Sequence, residues 1–329
     1  MAPLTISVNE CSPEARAERQ AINQNLENLT NSQTHWFEAP SAEEYRKWRK
    51  EGLNGFPKPF HHPQARVIQI PSDHGAHTIP LRIIPPKGEA KGVFLHFHAG
   101  GFVIGSAAAH DSLLSRIADD LSLVVVSVEY RLAPEHIFPA AAEDCLDAAL
   151  FALSPGGVAE LGGRLRVIAG ESAGSYLTLS VTIQLRDRGI DVAEKLDAIV
   201  PSYGIFDLTY TPSVRSHKRR VIMGSDDAEK FIDAYLPLDK FPLQRRQEID
   251  ISPLYNDLSG LPPALFLCGT ADPLLDDSVF MASRYSLAGS PAELKLVAEA
   301  CHGFTIFPLG DVAEEGIQEV LKFVSRHVK

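Results

Sequence analysis

Cysteine is scarce in this chain. There are four in 329 residues, at positions 11, 145, 268 and 301, and none forms a C-x-x-C pair. That spacing supports neither a thiolate zinc site nor a disulfide framework, so reduced, buried thiols are the simplest expectation. Long apolar runs are missing as well: no stretch reaches the roughly eighteen residues of a membrane-spanning helix. The segment from Met1 to Glu10 has no basic start and no extended apolar core, so it does not read as a signal peptide, and a cytoplasmic location is expected. Without a secretion signal, the sequon Asn28-Leu29-Thr30 is expected to go unused. Basic charge is in deficit, with 31 Lys and Arg against 42 Asp and Glu and a net charge of −11. Such a surface repels a polyanion, so no nucleic-acid partner is expected. The one basic run, Arg215-Ser216-His217-Lys218-Arg219-Arg220, reads as a solvated stretch. Repeats and low-complexity segments are absent.

What is present centres on Gly170-Glu171-Ser172-Ala173-Gly174, a G-x-S-x-G pattern. An apolar, β-branched run over 165–169 precedes it and reads as a buried parallel strand. After it, 176–188 holds no Gly or Pro and reads as a helix. A serine on a sharp strand-to-helix turn is a nucleophile elbow, and the flanking glycines suit a turn too crowded for a Cβ.

Three further pieces follow in the right order. The strand-like run 93–98 feeds into Ala99-Gly100-Gly101-Phe102. Glycines there leave backbone N–H groups free to meet a developing oxyanion, so Gly100 and Gly101 are candidate donors with Ala173, the residue after the serine. An apolar strand over 265–268 leads to Asp272, an acid just past a strand end, where catalytic groups of open α/β sheets gather. Asp276 and Asp277 lie close by, and any of the three could cap the helix that begins there; Asp272 is favoured as the triad acid. A strand over 294–298 leads to His302 in a loop beside Gly303. Twelve histidines make any one of them an uncertain base on composition alone, but the order Ser172, Asp272, His302 is the hydrolase order.

With these residues in view, the chain resembles the hormone-sensitive-lipase-like esterases of the α/β-hydrolase superfamily. The family's H-G-G-G-F is matched by His98-Ala99-Gly100-Gly101-Phe102, and its G-[DE]-S-A-G by residues 170–174. Its Y-R-L-A-P-E is Tyr130-Arg131-Leu132-Ala133-Pro134-Glu135, its D-P-L-x-D runs from Asp272 to Asp276, and its late H-G-F is His302-Gly303-Phe304. Ala99 departs from the pattern, replacing the first glycine; the two family donors still match Gly100 and Gly101, so substrate shape is affected more than competence. The resemblance implies a Ser172–His302–Asp272 triad acting through an acyl-enzyme on short- to medium-chain acyl esters, with no metal or organic cofactor. Ser172 at the elbow argues against the epoxide hydrolases and dehalogenases, which share the fold but use an aspartate there. An acyltransferase with the same triad is the alternative. A non-catalytic small-molecule receptor is a further one: plant gibberellin receptors resemble the same family but lack its catalytic histidine, which is present here as His302.

Strands and helices alternate from about 93 to 201, which argues a mostly parallel sheet with helices on both faces, preceded by a hairpin over 65–84. The expected division is an N-terminal helical lid segment (1–53, with no sheet strand visible), an α/β-hydrolase domain (54–203 and 262–329) and a second lid segment (204–261) too long to be an ordinary loop. Glu171, beside the nucleophile, is expected to play a supporting part. The partner is a small ester. Oligomeric state is left open, a homodimer among the options.

Overall fold

The computed structural model describes residues 2–328. In chain order its elements are β1 (Leu4–Asn9), α1 (Pro13–Ser32), α2 (Ala42–Glu51), β2 (Arg66–Pro71), β3 (Thr78–Ile84), β4 (Val93–Phe97), α3 (Asp111–Leu121), β5 (Val124–Val128), α4 (Ala140–Leu153) and α5 (Pro155–Leu161). Then come β6 (Leu165–Glu171), α6 (Ala173–Asp187), α7 (Val192–Lys195), β7 (Ala198–Ser202), α8 (Pro212–Ser216), α9 (Ser225–Tyr235), β8 (Ala264–Gly269), α10 (Leu275–Leu287), β9 (Ala292–Val297) and α11 (Asp311–His327).

The strands form one nine-stranded sheet in the order β1-β9-β8-β7-β6-β4-β5-β3-β2. Neighbours run parallel except β2–β3 and β3–β5. The central strands are buried on both faces, which is why β4 (VFLHF) and β5 (VVVSV) read as unbroken apolar runs rather than alternating ones. Helices cover each face. Leu146 of α4, Leu177 of α6 and Met281 of α10 join one core with Leu95 and Phe266. Leu114 and Ile117 of α3 join the other with Val320, Phe323 and Val324 of α11 and Phe94, Leu265 and Leu267. Phe266 and its two neighbours thus point to opposite faces, as pleating requires.

One sequence expectation is corrected here. The N-terminal segment is not wholly helical, because Leu4–Asn9 is a strand that pairs parallel with β9, from Leu4 opposite Ala292 to Asn9 opposite Val297. As an edge strand it leaves Ile6 and Val8 about half exposed, so it lacks the burial signature of the central strands. The two helices that follow start where their caps place them. Ser12 Oγ accepts the Ala15 N–H and Ser41 Oγ accepts the Glu44 N–H.

Residues 204–261 carry α8, α9 and two short 3₁₀ turns. The ring of Phe231 on α9 stacks on Trp36 at 5.3 Å between centroids, which joins this segment to the chain after α1. The basic run takes part in the same junction rather than being merely solvated. Arg219 pairs with Glu27 at 2.8 Å, and Arg220 meets Asp227 at 2.8 Å and His35 at 3.0 Å. The base of the segment is tied down by Asp277, whose Oδ1 accepts the N–H groups of Phe206 (2.7 Å) and Asp207 (2.9 Å) while Oδ2 accepts the Thr211 hydroxyl (2.7 Å). Asp276 accepts the Ser213 N–H at 2.8 Å. These two carboxylates therefore anchor 206–213 to α10.

Candidate active site

Because β4, β6, β8 and β9 are parallel, the loops that leave their C-terminal ends emerge on one edge of the sheet. Those loops hold Gly100 and Gly101, Ser172, Asp272, and His302 respectively.

Ser172 sits between β6 and α6 with φ +56° and ψ −114°, a backbone conformation that non-glycine residues seldom adopt. The turn is sharp because its neighbours are pinched: a Cβ on Gly174 would lie 1.8 Å from the carbonyl oxygen of Phe97, at the end of β4. Only glycine permits that approach, and the approach lifts the serine clear of the helix start. Gly100 has φ +130°, and a Cβ there would lie 1.9 Å from the Ile104 carbonyl oxygen. Among the described residues, no hydrogen bond engages the N–H groups of Gly100, Gly101 or Ala173. Ala173 opens α6, where N–H groups have no intrahelical partner and the helix dipole favours negative charge.

Asp272 and His302 are brought to the serine by loops that hold each other. The N–H of Ala271 donates to the Ala300 carbonyl at 3.0 Å, joining the β8 loop to the β9 loop. His302 Nδ1 lies 2.9 Å from Asp272 Oδ2 and 3.1 Å from Oδ1, and His302 Nε2 lies 3.0 Å from Ser172 Oγ. A proton on Nδ1 serves the carboxylate and leaves Nε2 to accept the serine hydroxyl. All three side chains are buried. Asp272 also accepts the Leu274 N–H at 2.8 Å, and the edge of Tyr203 meets the His302 ring at 5.3 Å.

A second polar network lies behind the elbow. Glu171 Oε2 is 2.8 Å from His96 Nε2 and 3.5 Å from His110 Nδ1, while His96 Nδ1 reaches Ser127 Oγ at 2.9 Å. Burial works against ionisation of Glu171, but the two histidines outweigh it and hold the carboxyl well below the usual carboxylate range. His96, His110 and Glu171 are the one trio of metal-ligating type found among the described residues, their ligand atoms within 4.8 Å of one another. Both ring nitrogens of His96 are already spent on Ser127 and Glu171, so the trio is a brace in which His96 is hydrogen-bonded to Glu171 and His110 sits beside the carboxylate at 3.5 Å.

Helix α1 contributes a prop of its own. Asn23 Nδ2 donates to the Glu299 carbonyl at 2.8 Å and Arg19 to the Ala298 carbonyl at 2.7 Å, which fixes the chain just ahead of His302. Sequence reasoning missed Asn23, Arg19, His96 and His110; each acts across more than seventy residues except His110, and none carries a local pattern. Above the site lies a cavity of about 1050 Å³ lined by Ser172, His302, Gly100 and Gly101, with Trp36, Phe231 and Met223 among its apolar walls. Ala99 also lines it.

Residues 94–306 match the model of a family described as alpha/beta hydrolase fold. The chain is a member of that family. It is 29% identical over 261 residues to an ethyl acetate hydrolase of Pseudomonas putida, covering 77% of this chain and 80% of the relative. Among solved structures, it is 30% identical to a hyperthermophilic esterase from the archaeon Pyrobaculum calidifontis, with a TM-score of 0.78 and coverage of 96% of this chain and 98% of that one. A hormone-sensitive lipase from a metagenome library gives 26% identity, a TM-score of 0.78 and coverage of 94% and 98%. The resemblance drawn from the motifs therefore stands. This α/β hydrolase belongs with the hormone-sensitive-lipase-like esterases, and it is a carboxylic ester hydrolase. Among its described residues no helix is long and apolar enough to cross a membrane.

Proposed function

We propose that this esterase works through an acyl-enzyme on Ser172. The single observation that carries the reading is the continuous relay from Ser172 Oγ through His302 to Asp272, at 3.0 and 2.9 Å. Ser172 Oγ attacks the ester carbonyl while His302 Nε2 takes its proton. Asp272 holds the imidazole in the required tautomer and stabilises the imidazolium. Negative charge gathers on the former carbonyl oxygen, where the N–H groups of Gly100, Gly101 and Ala173 receive it; one such donor is worth about 3 kcal/mol of barrier. Collapse of the intermediate expels the alcohol, which takes the proton back from His302. A water molecule then gives its proton to His302 and attacks the acyl carbon, and the acid leaves with Ser172 restored.

Short to medium acyl chains are the proposed substrates. Support comes from the ethyl acetate hydrolase relative and from the bulky Trp36–Phe231 stack that bounds the cavity. The α1–α2 region and residues 204–261 are proposed to act together as a lid, since they meet through that stack and the Arg219–Glu27 pair. The test is hydrolysis of p-nitrophenyl esters from acetate to palmitate by the wild type and by Ser172→Ala. A maximum at short or medium chains, lost in the variant, is expected. Folded wild-type protein that hydrolyses none of them would overturn the reading and favour acyl transfer to another acceptor.

A further inference from the structure

The cavity above Ser172 is positive inside an acidic chain. Three carboxylates line it, Glu129, Asp227 and Glu314, and each is already engaged. Asp227 pairs with Arg220 at 2.8 Å and Glu314 with Arg116. Glu129 accepts the Ala107 N–H at 2.7 Å and feels the charge of Lys50. Of the cations, Arg46 is paired with Glu135 at 2.8 Å. Lys47, Arg49 and Lys58 also line the cavity, and none of the ion pairs among the described residues includes them.

Arg49 is the informative one. It lies in the last turn of α2, where the helix dipole favours a cation. That preference explains a positive charge at this end of the helix but not where the side chain goes. Its guanidinium lies 3.5 Å over the ring of Phe56. Phe56 in turn packs on Phe307, with 6.1 Å between centroids, and Phe307 covers Gly303, the neighbour of His302. A cation and two rings thus form a wall that ends at the catalytic loop. Burial pulls the Arg49 guanidinium below its ordinary pKa, opposed only by Tyr45. A guanidinium held partly out of water without a counter-ion is destabilising, and an anion entering the cavity would relieve it.

We propose that Arg49, assisted by Lys47 and Lys58, receives a carboxylate on the substrate, so that the preferred esters carry a carboxylate remote from the scissile bond. The proposal rests on the esterase reading of the same cavity. The planar fork of an arginine matches a carboxylate in bidentate fashion, and the neighbouring lysines add a local attractive field on a molecule that otherwise repels anions. A neutral ester of the same length would gain nothing from this wall beyond apolar contact.

The test uses two matched pairs. In p-nitrophenyl hydrogen adipate against p-nitrophenyl hexanoate the carboxylate is on the acyl side. In acetoxyhexanoate against hexyl acetate it is on the alcohol side. In at least one pair the anionic ester is expected to show the higher kcat/KM, by about tenfold. Arg49→Gln should abolish that ratio, Arg49→Lys should keep part of it, and rising ionic strength should erode it in the wild type. Should Arg49→Gln fail to fold, Lys58→Gln takes its place, with a smaller fall expected. A neutral ester favoured in both pairs overturns the proposal, as does a preference untouched by substitution and salt. If no ester at all is turned over, it is the esterase reading that fails. Calorimetric binding to Ser172→Ala then decides the anion site: monoethyl adipate binding more tightly than ethyl hexanoate keeps it, and equal or weaker binding removes it.

Discussion

Phe231 presses its ring against Gly101 so closely that a Cβ on the glycine would lie 2.3 Å from the ring's Cγ. A residue of α9 therefore sets the position of a proposed oxyanion donor. Gly101→Ala must push the ring aside and hold an alanine at φ +59°, so kcat is expected to fall about a hundredfold. Phe231→Ala should restore part of that loss in the double variant, read as a double-mutant cycle on kcat. No restoration would mean that strain at φ, rather than the ring, disables the loop.

The three proposed catalytic side chains should behave as a unit. Ser172→Ala and His302→Gln are each expected to lower kcat by about a millionfold, and Asp272→Asn by about ten-thousandfold. The double variant Ser172→Ala/His302→Gln should lose no more than either single one. Additive losses would argue that Ser172 and His302 act separately.

Asn23, on α1, holds the chain just ahead of His302. Asn23→Ala leaves the Glu299 carbonyl without its donor in a partly buried position, and a loss of about 1–3 kcal/mol in stability is expected. A role confined to stability would leave kcat unchanged well below the melting temperature. Positioning of His302 predicts a lower kcat at 25 °C with KM nearly constant.

His98 stacks on Tyr130 at 4.0 Å, fully buried, and burial draws its pKa down to about 3. The unfolded chain takes up a proton near pH 6.5 that the folded chain refuses until about pH 3. Stability must then fall as pH drops through that window, by about 1.4 kcal/mol per pH unit from this residue, and gain nothing from it above pH 6.5. Unfolding free energies measured between pH 7 and pH 4 should carry this slope. In the NMR spectrum the His98 ring resonance should not titrate over the same range; a midpoint near neutrality would sink the assignment.

Cys301 adjoins the proposed base but is buried, and burial pushes its thiol up to about 12. Iodoacetamide at neutral pH should neither label it nor inhibit the native enzyme. Rapid labelling at Cys301, identified by peptide mass, would show that the loop opens.

The central sheet, and the three residues that the fold brings together as Ser172, His302 and Asp272, were legible in the sequence because both rest on local signals. Val93–Phe97 and Val124–Val128 announce themselves as apolar runs, and Ser172, Asp272 and His302 each follow a strand within a few residues. Leu4–Asn9 escaped notice since an edge strand exposes Ile6 and Val8 and has its partner nearly three hundred residues away. Pro155–Leu161 was hidden by Gly156 and Gly157, poor helix formers that Ser154 caps all the same. The His96–Glu171–His110 brace joins three segments whose contact exists only in the folded sheet, so no spacing rule could have found it.

The pairing of β1 with β9 has a consequence for the order in which the molecule is made. Leu4–Asn9 leaves the ribosome long before Ala292–Val297 and cannot be seated beside it until that later strand has emerged. The loop that carries His302 leaves β9, and the Ala298 and Glu299 carbonyls ahead of it are gripped by Arg19 and Asn23 of α1. A growing chain thus carries Ser172 long before His302, its proposed base, is made, and the proposed site is complete only once β1 and β9 have met.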